Sequence, residues 1–394
     1  MMNNKKIKTF FFDNILYFIF SSYFLYIFSF YFFSENISAF ISISNLELGY
    51  ILGGDSSTYI QGAKNINNFE LPTGKATSYL GYIIYLAIFQ YFKLDLTYVV
   101  LSQIFLTFLS SLCIYEITKK ISSHLVATFI LSIYLFYLPL QMWNFYILAD
   151  TIFICLIIFI IYFFIFFKKK YFPLLFFLII FYITLKPHGI ILIPSLAMSL
   201  LVWLYLQNRL KLFYLLILVL VFLFFPILSL LNLYLENESI VNSIQNKGII
   251  WGYENKNNFL EYNLPDKIDN DLISLLIFLK KNIVTFTIAS FKKIWFFNFR
   301  IRPYYSDFHN YYIIIFDLIY WPAAVFGLFK LNNSNNNIGI ILMYFLIIFF
   351  TIAVGLSWAD WDSRFSLYIL PLILIFAGVG FYNIKIFNIK RLLK

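Results

Sequence analysis

An all-α protein that crosses a membrane many times is the fold class this sequence predicts, on three observations. Hydrophobic residues make up 62% and charged residues 12% of the 394 positions, about half the charged share of a water-soluble domain. The apolar residues come in unbroken runs of about twenty, the length a helix needs to cross hydrocarbon, and not in the ten-residue alternation of a membrane barrel. Lysines and arginines, which give a net charge of +10, stand in short clusters between those runs, as the positive-inside rule expects. That placement argues against a nucleic-acid partner. It makes membrane lipid the surroundings, so each spanning backbone must be helical to satisfy its own hydrogen bonds.

The elements follow in order. Residues 1–33 open with Lys5, Lys6 and Lys8 and run on too long for a cleaved leader, with no small-residue cleavage site before Glu35; they read as an uncleaved anchor with a cytoplasmic N-terminus. Spans are predicted at 10–33, 96–117, 122–140, 147–167, 171–186, 189–207, 211–235, 311–329, 338–356 and 365–383. The apolar run 78–92 would make an eleventh, but as a helix of ~22 Å it is short for a ~30 Å core and is expected to lie on the surface or re-enter it.

Cytoplasmic placement of Lys168-Lys169-Lys170, Arg209 with Lys211, Lys330 and the cluster from Lys385 to Lys394 puts residues 34–77, 186–188, 236–309 and 357–364 together on the outer face. The expected product is one integral domain over 1–394 in the cell membrane, both termini cytoplasmic, with 34–77 as the first outer loop and 236–309 as a long one. Within the long loop, Leu272 to Phe299 is apolar but interrupted by Lys280-Lys281 and Lys292-Lys293. It suits an interfacial amphipathic helix with its basic groups toward anionic headgroups. Cys113 and Cys155 both fall in apolar runs, which suits small core residues better than a disulfide or metal knuckle.

Chemistry is expected where polar groups gather. The stretch Gly53-Gly54-Asp55-Ser56-Ser57-Thr58-Tyr59 is the first substantial polar island after a long apolar opening. Its glycines permit a tight turn, and Tyr59, Ile60, Ala63 and Ile66 recur at helical spacing, so Asp55 or Ser56 would cap a short helix. Asp55 has two readings, helix cap or general base for an alcohol, and the two are compatible.

Lys186 precedes Pro187 at the outer end of a span, where an ammonium either holds an anionic ligand or snorkels to lipid phosphate. Nearby His188 reads as structural in preference to a metal ligand. Asp150 opens an outward-starting span, where a carboxylate suits a helix N-terminus. Arg364 stands in Trp358-Ala359-Asp360-Trp361-Asp362-Ser363-Arg364-Phe365. There a guanidinium can grip phosphate beside Trp358 and Trp361, or pair locally with the aspartates in an aromatic belt. Arg300, Arg302 and His309 close the long loop as further phosphate or glycan contacts, with Lys64 and Lys75 as weaker candidates. No metal motif is visible, and use of a divalent cation is left open.

Several of these stretches resemble the GT-C superfamily of polyprenyl-phosphate-dependent membrane glycosyltransferases, the group that includes protein mannosyltransferases and lipid A aminoarabinose transferases. Gly54-Asp55-Ser56-Ser57-Thr58-Tyr59 is similar to the acidic first outer loop of that superfamily, and Tyr79-Leu80-Gly81-Tyr82-Ile83-Ile84-Tyr85 to the segment after it. Leu148-Ala149-Asp150-Thr151 resembles its acidic-headed span, Thr184-Leu185-Lys186-Pro187-His188-Gly189 its basic turn, and Ser363-Arg364-Phe365 with Leu370-Pro371 its late Arg-aromatic turn. The sequence departs from the pattern in having no carboxylate adjacent to Asp55, Lys in place of the more usual Arg at 186, and no soluble domain at the C-terminal end.

The resemblance implies transfer of a sugar from a polyprenyl-phosphate carrier to an extracytoplasmic glycan, lipid or protein acceptor. Asp55 would be the general base, Lys186 and Arg364 would hold the donor phosphate, and Tyr59, Asp150, His188, Trp358, Trp361, Arg300 and Arg302 would support the substrates. Two rival expectations remain: an O-antigen-type polymerase or ligase relying on Arg300 and Arg302, and a lipid-linked sugar flippase. The nearly charge-free spans speak against the flippase.

Overall fold

A computed structural model describes residues 4–32, 50–222, 248–250, 253, 260–263, 272–331, 337–357, 359 and 363–384. Among them the fold is all-helical, with extended backbone pairing only at two isolated bridges, Ile51 with Tyr146 and Ile250 with Ala359. Among the described residues four helices are long and apolar enough to cross a membrane: Leu96–Ile121, Pro187–Leu206, Asp307–Leu331 and Ile338–Leu356. A fifth results if the bent pair His124–Phe136 and Leu138–Phe145 counts as one.

Of the remaining expected spans, Asp150–Ile165 and Leu370–Asn383 are shorter apolar helices, and local chemistry limits others. Pro139 has no N–H with which to continue the helix that ends at Phe136, and the chain turns there by 56°. Lys186-Pro187 ends Phe172–Leu185 after 14 residues, because the residue before a proline is driven out of helical geometry. The ambiguous run 78–92 becomes a 3₁₀ turn, Gly74–Tyr79, followed by the 12-residue helix Leu80–Tyr91. The outer part of the span expected at 211–235 lies outside the described residues.

The chain divides into two compact units. The first takes residues 1–190, 323–332 and 374–394. Its helices are α1 (Asn4–Phe32), α2 (Ser56–Asn67), α3 (Leu80–Tyr91), α4 (Leu96–Ile121), α5 (His124–Phe136), α6 (Leu138–Gln141), α7 (Asp150–Ile165) and α8 (Phe172–Leu185). Helix α4 packs on α5 and α7, α7 on α8, and α8 on α3, which also carries α2.

A buried amide network stabilises the break after α5. The Gln141 amide donates to the Tyr134 carbonyl at 2.9 Å, and its oxygen accepts from Tyr23 at 3.0 Å and Asn144 at 2.8 Å. Thr107 donates to Asn144 Oδ1 at 2.8 Å, and Gln103 donates to the carbonyls of Asn144 and Tyr146. Irregular backbone in apolar surroundings needs such partners. Late in the chain, Gly327 and Gly380 let two helices touch backbone to backbone, since a Cβ at either would collide with the Phe376 or the Ala323 carbonyl.

The second unit takes residues 191–322 and 333–373. It contains α9 (Leu192–Leu206), α10 (Leu210–Phe222), α11 (Leu272–Lys281), α12 (Ile283–Phe299), the start of α13 (Asp307–Leu331), α14 (Ile338–Leu356), α15 (Arg364–Leu367) and the start of α16 (Leu370–Asn383). Helix α14 packs against α9 and α12.

The single interfacial helix expected from Leu272 to Phe299 is two helices. Asn282 breaks it: its buried amide exchanges hydrogen bonds with the Asn263 backbone at 2.7 and 2.9 Å and donates to the Phe278 carbonyl at 2.9 Å. Lys280, Lys281 and Lys292 are exposed as expected, but Lys293 is buried. The reason is periodicity. Exposed Val284, Ile288, Phe291 and Trp295 form one stripe of α12, so Ala289, Lys293 and Phe297 face inward.

Candidate functional site

The first unit gathers four sequence-distant segments around Asp55. After Gly53-Gly54 the chain turns so that the Ser56 N–H reaches the Gly53 carbonyl at 3.0 Å, while Ser56 Oγ accepts from the Gly53 N–H and donates to the Ile147 carbonyl at 2.9 Å. With the Ile51 N–H on the Phe145 carbonyl at 2.8 Å and the Ile147 N–H on the Ile51 carbonyl at 3.0 Å, this fastens the turn to the strip that leads into α7.

Asp55 occupies the N-cap of α2 but does not cap it. Its backbone is already helical, φ −94° and ψ −9°, and its carboxylate accepts no bond from the first turn, whereas a capping residue normally sits in the β region. The carboxylate instead meets Lys75 Nζ at 2.5 Å and accepts from Tyr59 Oη at 3.5 Å. Lys75 comes from the 3₁₀ turn Gly74–Tyr79. The Asp55 side chain is 22% exposed, so solvent can reach it.

Tyr59 is buried, its ring 4.9 Å from Tyr79 and 5.3 Å from Tyr82. Burial, then the neighbouring Tyr79, Asp55 and Asp150, push its phenol well above the ordinary range, so it stays a donor.

Asp150 and Lys186, singled out separately in the sequence, are partners: Nζ lies 2.8 Å from Oδ1, with side chains 3% and 4% exposed. Asp150 opens α7, where the helix dipole favours a carboxylate. Lys186 is extended, φ −155° and ψ 153°, because α8 has just ended before Pro187. Phe153 and Tyr182 stack at 4.2 Å and tie the two helices together behind the pair. A carboxylate of the chain, not lipid phosphate, thus neutralises the ammonium. His188, two residues on, is half-buried.

The arginines lie in the second unit. Arg300 ends α12 in the left-handed region, φ 53°, and its guanidinium is bound by Asp317 and Tyr320. Arg302 donates to the Phe296 carbonyl at 2.7 Å and the Ile301 carbonyl at 3.1 Å, while its N–H reaches Asn310. Both arginines are buried and engaged in holding the loop closed. Arg364 is half-buried, its guanidinium 5.6 Å from the Phe365 ring centre. Ser363, also left-handed at φ 57°, donates to the Arg300 carbonyl at 3.3 Å. His309 stacks on Tyr305 at 4.2 Å. Trp358 and Trp361 lie outside the described residues.

Lys75, ranked low in the sequence, is thus the group that holds Asp55. Asp317 and Lys293 were missed. A lone acid in the apolar run from Tyr311 to Phe329 was the available signal for Asp317. Among the described residues no cluster of three or more His, Cys, Asp or Glu side chains could hold a metal ion, and both cysteines are free. No family model matches the chain, and no curated protein or solved structure matches it.

Proposed function

We propose that the chain is a multispanning, GT-C-like membrane glycosyltransferase, moving a sugar from a polyprenyl-phosphate carrier to the hydroxyl of an extracytoplasmic acceptor. The observation that carries this reading is the release of Asp55 from helix capping: a reachable carboxylate with a lysine and a buried tyrosine beside it, yet no backbone duty. In the reaction Asp55 removes the acceptor proton as the acceptor oxygen bonds to the anomeric carbon. The bond from that carbon to the phosphate oxygen breaks, and the electron pair leaves with the phosphate, inverting the centre.

A phosphate departs without a general acid if cations receive its charge. Lys186, oriented by Asp150, fills that role. One of the three Lys186 donors goes to Asp150, which fixes the ammonium as a directed cation. Tyr59 positions Asp55. Lys75, its side chain 60% exposed, can swing away when an acceptor arrives.

The test uses purified protein in lipid vesicles, labelled polyprenyl phosphate sugars and a crude acceptor extract. Wild type should label an acceptor, and Asp55→Asn should transfer at least about a hundredfold less while still binding donor. Equal transfer by both, with loss on changing Arg300 or Arg302, would instead support the polymerase or ligase.

A further inference from the structure

Lys293 is the most anomalous charge among the described residues. It sits at the centre of the inward face of α12 with 1% of its surface exposed, and neither its Nζ nor the Oγ of Ser290, one helical turn earlier, has a hydrogen-bond partner. Its ammonium lies 5.7 Å from the centre of the Phe286 ring. Among the described residues the helices packed on α12 supply no acid: Ile338–Leu356 contains no charged residue, Leu272–Lys281 adds only Lys280 and Lys281, and Arg364–Leu367 only Arg364. Asp317, the acid buried in this unit, is taken by Arg300. Burial pushes the Lys293 ammonium down to about 8, which leaves it charged at neutral pH. A sealed cation without an acceptor is among the most costly arrangements a fold can hold.

We propose that Lys293 and Ser290 form an anion site for a phosphate group in the second unit. Ammonium and hydroxyl stand on successive turns, about 5–6 Å apart at Cβ, and a tetrahedral oxyanion has enough acceptor oxygens to bond both. A serine three residues before a lysine also matches the spacing of Ser–Lys nucleophile pairs, but the two polar atoms are not bonded to each other, so no dyad is formed. The outer face of the same helix is the apolar stripe Val284, Ile288, Phe291 and Trp295. Phosphate therefore has two sources, an amphiphile whose tail follows apolar surface or the free ion.

The test takes the full chain in dodecyl maltoside micelles, which contain no phosphate, and reads melting temperature and bound ligand by native mass spectrometry. Wild type, Lys293→Met, Lys293→Gln and the exposed neighbour Lys292→Met are each given inorganic phosphate, dioctanoyl phosphatidic acid or farnesyl phosphate. The expected result is a phosphate-dependent rise in melting temperature and bound mass for wild type and Lys292→Met. Affinity should be at least about tenfold weaker in both Lys293 variants, and Lys293→Met should melt higher than wild type without ligand. A response to the two amphiphiles alone assigns the site to a lipid headgroup, and an equal response to inorganic phosphate assigns it to the free ion. If no probe distinguishes wild type from Lys293→Met, the site does not exist and the lysine is structural. Asp55 and transfer play no part in this assay, so its failure would leave the glycosyltransferase reading where it stands.

Discussion

Two aspartates stand at helix N-caps in the first unit and do opposite things. Asp95, extended at φ −65° and ψ 155°, accepts from the Thr97 N–H at 2.8 Å and caps Leu96–Ile121; those Thr97 bonds hold its carboxyl below the usual range. Asp55, one backbone well away, gives its carboxylate to Lys75 and Tyr59 instead. The two buried lysines repeat the contrast across the molecule: Lys186 has Asp150 at 2.8 Å, and Lys293 has no acceptor. Groups consumed by the fold and groups left over by it are thus distinguishable by geometry where residue type and burial are alike. A left-over group can meet a ligand directly, and a paired one such as Lys186 only with its partner in place.

The largest effect should come from breaking a consumed pair. Asp150→Ala strands the Lys186 ammonium and should cost about 3–5 kcal/mol; the double variant Asp150→Leu/Lys186→Met, measured by thermal or denaturant unfolding, should recover most of it. A double variant as weak as the single would show that something besides the pair holds this corner.

Lys293 should have the opposite sign. Its folded value of about 8 lies below the ~10.4 of a free lysine, so the unfolded chain binds more protons between those values and stability rises with pH across that window, by roughly 3 kcal/mol in all. Lys293→Met should flatten the rise, and a wild-type profile already flat between pH 8 and 10 would mean the charge is relieved in some other way.

Next comes Asp55→Asn, which should lower transfer at least about a hundredfold, or about 2.7 kcal/mol of barrier, while stability changes by less than about 1 kcal/mol, since its ion pair is at the surface. Asp95→Ala is its mirror image: about 1 kcal/mol of stability lost and transfer untouched. If the two aspartates exchange these phenotypes, the contrast between them is wrong.

What the sequence revealed and what it hid follow the range of the interactions. The helix over Ser56–Asn67 was legible, because glycine turns and periodicity are local, but that the Asp55 carboxylate turns to Lys75 and leaves the helix uncapped was not. Asp150 and Lys186 were each visible, but each had an adequate local explanation, the helix dipole for one and snorkelling for the other. Only the folded chain shows that residues 36 positions apart are partners. Lys293 was hidden in a Lys-Lys dipeptide that reads as solvated. Successive helical residues are 100° apart, so one lysine of such a pair can face out and the other in, and when apolar surroundings take the stripe of Val284, Ile288, Phe291 and Trp295, it is the polar side that turns inward. The break expected between the spans 171–186 and 189–207 falls at Lys186-Pro187 as the structure has it, whereas the single span expected at 122–140 bends at Leu138-Pro139.

The close crossing at Gly327 and Gly380 bears on how the protein is made. It joins the two late segments of the first unit, 323–332 and 374–394, to each other, in a unit whose main part ends at residue 190. During synthesis that main part must wait for the chain from 190 to 374, roughly 10–40 s at ordinary translation rates, before the last helix can close against Ala323 and Gly327. Through that interval the faces that Leu370–Asn383 will cover are open, and the unfinished unit is a natural client for whatever chaperones attend membrane insertion.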